Sequence, residues 1–146
     1  MAACVPLGGK MSKAHFVLQT DGAARGNPGP AAAGIILEFG GEVVLEHGQV
    51  YADCTNNVSE YRALILGLEK ALPLLEGRPL RIQMDSELVV KQINGQYKVK
   101  KEDLKPLWAE AKTLLGKVNL LGVEHIRRKE NARADKLANL ALDGKL

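Results

Sequence analysis

Cysteine is scarce, with Cys4 and Cys54 the only two in 146 residues, so a disulfide-stapled scaffold is excluded. Free thiols in a reducing, cytoplasmic setting are expected, and a bridge between the two is the lesser alternative. Long apolar runs are missing as well. The longest, residues 31–37 and 64–68, are core-sized and fall far short of the roughly 18 residues that a membrane-spanning helix needs. The opening MAACVPLGGK lacks a basic stretch, so a secretory signal is not predicted. Neither charge sign dominates: 20 basic and 17 acidic residues leave +3, which by itself points to no partner. What is present is ordinary for a globular chain, 46% hydrophobic and 25% charged, and excludes a disordered or fibrous one. At this length one domain is expected, over residues 13–146, preceded by a flexible tail over 1–12 in which Met11 reads as an alternative start.

Residues 15–21 alternate and run into GAARGNPGP, a strand leading to a loop. Two further strands, 31–39 and 42–50, meet at Gly40 and Gly41, which permit the positive φ angles of a tight turn, so an antiparallel meander is expected. From 57 to 76 the period becomes helical, with Val58, Tyr61, Ile65, Leu68, Leu72 and Leu75 on one stripe. Ala63, Gly67 and Ala71 form a small-residue row suited to close packing on a sheet, and Pro73 is expected to bend or loosen the last turn. Residues 80–85 alternate again. Ser86 is a natural N-cap for a short helix that Gly95 stops near 94; a second short helix over 104–115, a strand over 119–126 and a helix over 131–142 follow. The order β-β-β-α-β-α-α-β-α predicts an α/β fold, a five-stranded mixed sheet with helices on both faces.

Aspartate is depleted in strands and costly to bury alone, yet two strands are expected to end on one. Gln19 and Asp21 share a face of the first strand; Gln83 and Asp85 share a face of the fourth. If these strands are neighbours, two carboxylates stand together, the kind of local violation expected at a functional site. Glu60 and Asp135, each in the first turn of a helix where the dipole favours negative charge, are placed to join them. Either alone reads as an ordinary helix-start acid. Four converging carboxylates without cysteine or histidine form an all-oxygen site that selects Mg²⁺ or Mn²⁺ over zinc, and a pair of such ions suits phosphoryl transfer. Setting four ligands aside from the 17 acids leaves 20 basic against 13 acidic residues, a balance suited to an anionic polymer.

Asp21 stands in TDGAARGNPGPAAAG, Glu60 in TNNVSEYRAL, Asp85 in DSELVV and Asp135 in ENARADKLAN. These four blocks, in this order, resemble the type 1 ribonucleases H over about residues 14–142. The resemblance implies the ribonuclease H-like fold and an endonuclease that cuts the RNA strand of RNA/DNA hybrids, leaving 5′-phosphate and 3′-hydroxyl ends. It implies Asp21, Glu60, Asp85 and Asp135 as catalytic ligands of two Mg²⁺ or Mn²⁺ ions, with Glu60 also reaching the RNA 2′-hydroxyl. Contacts to the hybrid are expected from Gly22, Arg25, Gly26 and Asn27 in the first loop, from Thr55, Asn56 and Asn57, from Ser86, Lys98 and Lys101, and from Arg128 and Asn131. Thr55 matches a phosphate pocket for the DNA strand. The plain alternative for each asparagine is a turn or cap residue, for Asn131 the N-cap of the last helix. No obligate protein partner or membrane is implied; a cytoplasmic monomer is the expectation.

Two departures from the family pattern stand out. Many members carry a histidine in a longer loop before the last helix, whereas here that stretch is only Arg127, Arg128, Lys129 and Glu130. His15, His47 and His125 lie elsewhere and read as structural, so the help given by that histidine is absent or falls to Arg128 or Lys129. A basic protrusion between the middle helices is also missing. Lys98, Lys100, Lys101 and Lys105 remain, interrupted by Glu102 and Asp103, and should add a modest, salt-sensitive phosphate contact. Trp108, at helical spacing from Leu104, Leu107 and Leu115, reads as core. Compact members of this kind resemble the archaeal-like branch, which implies double-stranded RNA as a second substrate. The alternatives are another nuclease of the same fold, or a module that binds hybrid or double-stranded RNA without cutting it.

Overall fold

A computed structural model describes residues 14–146; the expected tail over 1–12, with Cys4, lies outside them. The first three strands, β1 (Phe16–Ala24), β2 (Gly29–Phe39) and β3 (Glu42–Cys54), form the antiparallel meander. Its second turn is made by Gly40 and Gly41 at φ 61° and 85°. Then come α1 (Asn56–Leu75), β4 (Pro79–Met84), α2 (Glu87–Ile93), α3 (Lys105–Leu115), β5 (Asn119–His125), a 3-10 turn over Arg128–Asn131 and α4 (Ala132–Leu142). The sheet order is β3-β2-β1-β4-β5, with β4 parallel to β1 and β5 parallel to β4, so the mixed five-stranded sheet is as expected.

Alternation assigns the two faces. Leu18, Ile35, Leu37, Leu80, Ile82 and Met84 are fully or almost fully buried and pack with Tyr61, Leu64 and Leu68 of α1. Each such side chain contributes roughly 1.5–3 kcal/mol of apolar burial. The small row on α1 works as anticipated: a Cβ at Gly67 would stand 2.9 Å from Thr20 Cγ2 and 3.0 Å from Leu18 Cδ2, so only glycine lets this helix lie so close to β1. On the opposite face α4 sits on the meander through alanines, Ala138 and Ala141 against Ala32. Trp108 packs at the edge of the main core, and its indole N–H donates to the Gln92 carbonyl at 3.3 Å.

Several boundaries differ from expectation for identifiable reasons. β1 continues past Asp21 to Ala24 because β2 pairs with it along that whole length, Asp21 opposite Gly34 and Ala24 opposite Ala31. α1 starts at Asn56, where the Thr55 hydroxyl accepts the Val58 amide at 3.2 Å. Glu60 therefore lies one residue beyond the first turn. Pro73 does not loosen the helix, which runs unbroken to Leu75. Proline there deprives the Glu69 carbonyl of its usual donor, but both residues are exposed and water can serve instead.

Candidate active site

β1 and β4 are paired rung by rung from Phe16–Leu80 to Thr20–Met84. Beyond that last rung the chains part: β1 stays with β2, while the chain after β4 turns into α2, capped by the Ser86 hydroxyl on the Val89 amide at 3.3 Å. Asp21 and Asp85 are the first residues past the rung. They stand side by side where the two parallel strands separate, at the carboxyl-end side of the sheet on which open α/β sheets present their ligand crevices.

Two glycines bring the other acids to them. At Gly22 a Cβ would stand 2.3 Å from the Ser59 carbonyl, so α1 can approach β1 only because that side chain is missing. The Gly22 amide then donates to Glu60 Oε1 at 3.0 Å. At Gly34, opposite Asp21, a Cβ would stand 2.0 Å from the Ala134 carbonyl oxygen and 2.7 Å from the Ala138 nitrogen. α4 is thereby seated directly on β2. Asp135, in its first turn, is brought close to Asp21. Carboxylate oxygens of Asp21, Glu60 and Asp85 all lie within 4.8 Å of one another. Asp135 borders this tight group through Asp21.

Asp21 is 4% exposed and the Asp85 side chain 7%. Burial, followed by the charges of Glu60 and Asp85, raises the Asp21 carboxyl far above the ordinary carboxylate range. Burial and then Asp85 raise Glu60, against the opposing pull of the Gly22 amide and Arg128. Arg128 Nε stands 3.8 Å from Asp85 Oδ2, but its side chain is 89% exposed and water screens it. Crowded oxygen donors that hold protons for want of positive charge fit a hard divalent cation.

The remaining expected residues divide. Asn27, Thr55, Asn57 and Lys101 come together, lining a cleft of about 190 Å³ with Asp103 and Leu104, and Asn27 Oδ1 accepts the Asn56 amide at 3.1 Å. Lys98 lies apart, in a more apolar cavity of about 690 Å³ beside Tyr97 and Trp108. In the first loop Gly26 takes a positive φ of 116°, and Arg25 is engaged by Asp143 at 2.8 Å and by Asn139. Asn131 does hold the N-cap position of α4, but it does not cap with its side chain. It is fully buried, and its amide donates to the Thr20 carbonyl at 2.8 Å and to Asp85 Oδ1 at 3.4 Å. It therefore braces the acids and cannot offer its side chain to a nucleic acid. His125 is exposed at the end of β5.

Sequence reasoning missed Asn139, whose Nδ2 donates to the Asp135 carbonyl at 3.0 Å and to its Oδ1 at 3.2 Å. The signal was available, since residues four apart on a helix are neighbours.

A family model described as reverse transcriptase-like matches residues 19–141. A bifunctional protein of Mycobacterium tuberculosis is 41% identical over 129 residues, 87% of this chain and 35% of that protein. Ribonuclease HI of Halobacterium salinarum is 43% identical over 124 residues, 84% of this chain. The chain thus spans about a third of the mycobacterial protein and 62% of the halobacterial one. The solved structure of the Halobacterium salinarum ribonuclease H1 superposes with a TM-score of 0.85 at 40% identity, covering 89% of this chain and 98% of that one. That of LC11 ribonuclease H1, solved in complex with RNA/DNA hybrid, gives 0.84 at 39%, covering 88% and 97%.

Proposed function

Since the chain belongs to the type 1 ribonuclease H family, we propose that it is a metal-dependent endoribonuclease that hydrolyses the RNA strand of RNA/DNA hybrids, leaving 5′-phosphate and 3′-hydroxyl ends. The observation that carries this is the convergence of Asp21, Glu60 and Asp85 oxygens within 4.8 Å, with Asp135 beside them. Mg²⁺ or Mn²⁺ fits these donors, and two bound ions would supply an activated water and charge relief for the leaving oxygen.

The chain's own residues do the rest. Asp21 and Asp85 are fixed by the sheet, Glu60 by the Gly22 amide, and Asp85 further by Asn131. Glu60 is the candidate reader of the 2′-hydroxyl that distinguishes RNA from DNA. Thr55, Asn27, Asn57 and Lys101 line a polar cleft suited to a phosphate of the DNA strand, where side-chain and backbone donors fix register without reading sequence. Among the described residues no helix is long and apolar enough to cross a membrane and Cys54 has no disulfide partner; a cytoplasmic monomer is part of the proposal.

The test is cleavage of matched labelled duplexes, RNA/DNA, RNA/RNA, DNA/DNA and DNA with one ribonucleotide, each with Mg²⁺, Mn²⁺ or EDTA. Metal-dependent cutting of RNA in the hybrid is expected, and the RNA/RNA lane decides the second substrate. Binding of hybrid without cutting in any lane would replace the enzyme by a binding module.

A further inference from the structure

Asp135 rides on α4, whose height above the sheet is set by the bare backbone of Gly34 and Gly48 and by the alanine packing on Ala32. What orients its carboxylate is one turn further along. Asn139 donates through Nδ2 to Asp135 Oδ1 at 3.2 Å and to the Asp135 carbonyl at 3.0 Å. An asparagine amide has two nearly isosteric ends, and only the nitrogen end can donate to a carboxylate. Here Arg25 decides which end faces which way. Its Nη2 donates to Asn139 Oδ1 at 3.4 Å and to the Asn139 carbonyl at 3.5 Å, while Nη1 pairs with Asp143 at 2.8 Å. A guanidinium has no acceptor, so it takes the oxygen end of the amide and leaves the nitrogen end for Asp135. Arg25 is itself anchored, its backbone amide donating to the Pro30 carbonyl at 2.8 Å across the β1–β2 connection. An unbroken path of hydrogen bonds therefore runs from the loop at residues 25–30 through Asn139 to Asp135.

The geometry points to Asn139 as a positioning residue for Asp135, with Arg25 as the lock that fixes the amide's orientation. This rests on the reading of the four acids as metal ligands. Partners that hydrogen-bond a ligating carboxylate typically change metal affinity about 10–100-fold when removed; the exposure of Arg25 and Asp143 argues for the lower end.

Two readouts test it: Mn²⁺ binding to hybrid-free protein by calorimetry, and the Mg²⁺ concentration for half-maximal cleavage at saturating hybrid. Asn139→Ala is expected to weaken both about tenfold with the KM for hybrid unchanged. Asn139→Asp, which cannot donate and adds a like charge, should weaken them more. Arg25→Gln should shift both in the same direction by less, and the double variant should be no worse than Asn139→Ala, because the two changes break one path. Arg25→Gln alters only an exposed side chain and serves if Asn139→Ala fails to fold. Asp135→Asn is the control. If wild type takes up no Mn²⁺, the metal reading itself has failed. If wild type binds and Asp135→Asn is impaired while Asn139→Ala matches wild type, the positioning role alone is overturned; it is overturned equally if Asp135→Asn binds like wild type. An Arg25→Gln variant that raises the hybrid KM at unchanged metal dependence would assign Arg25 to the substrate instead.

Discussion

Gly22 and Glu60 meet through a single hydrogen bond of 3.0 Å, made possible by a missing side chain: the same glycine that donates its amide to the carboxylate also leaves room for the helix that carries it. Gly22→Ala would push a methyl group into the Ser59 backbone, which cannot yield as a flexible side chain would. A loss of about 1–3 kcal/mol is expected, together with weaker Mn²⁺ binding as Glu60 moves off. Urea denaturation in EDTA and a cation titration read the two effects separately. An unchanged denaturation midpoint would mean that α1 is not held against β1 as described.

Asp21→Asn should abolish cleavage and stabilise the metal-free protein at neutral pH, since a neutral amide of the same shape needs no proton to be buried among the other acids, whereas the Asp21 carboxyl must take one up on folding. Thermal melts in EDTA give the sign. A lower melting temperature would show that Asp21 contributes more through its hydrogen bonds than the uptake of its proton costs.

The pH dependence has a definite direction. Asp21 and Glu60 hold protons in the folded, metal-free state at pH values where the unfolded chain has released them. The native state binds more protons there, so the contribution of these two groups to stability is fullest at or below the ordinary carboxylate range near pH 4 and declines as pH rises through neutrality. Mg²⁺ should flatten this decline by giving the charges a partner, and its uptake at neutral pH should release protons, measurable by calorimetry in buffers of different ionisation enthalpy.

Asn131 is predicted to matter for folding. Asn131→Ala strands the Thr20 carbonyl and removes a donor from Asp85, at a cost of about 1–3 kcal/mol. The salt dependence of hybrid binding should not change. Weaker hybrid binding at fixed salt by a variant that still folds would place Asn131 back at the nucleic-acid interface.

Lys101 and Asp103 line one cleft with opposite charges. Lys101→Ala should reduce the salt slope of hybrid binding by about one unit with little effect on the saturated rate. Asp103→Asn, by removing an acid from beside an incoming phosphate, should tighten binding. Equal slopes for both variants and wild type would take the cleft out of the interface.

Much of this was legible from residues alone. Asp21 and Asp85 announced themselves by ending polar stripes on strands whose other sides, such as Leu18 or Ile82, are plainly core, and period-2 alternation fixes faces without any tertiary information. The continuation of β1 to Ala24 was hidden because GAARGNPG reads locally as a turn, whereas pairing with Ala31–Gly34 overrides that preference. The role of Asn131 was hidden for a related reason. An asparagine before a helix looks like a cap, and only the placement of α4 over Thr20 buries it. The same holds for Gly34, an unremarkable residue until a helix backbone is laid across it.

None of the four acids belongs to a long connection. Asp21 lies within β1, Glu60 and Asp135 on α1 and α4, and Asp85 directly after β4, and the glycines that set their spacing are in β1 and β2. The stretch between α2 and α3 supplies none of the four acids; its Lys101, Asp103 and Leu104 line only the neighbouring cleft. A foreign nucleic-acid-binding segment grafted there would alter which duplexes the protein reaches and how tightly, while the reacting centre stayed where the sheet holds it.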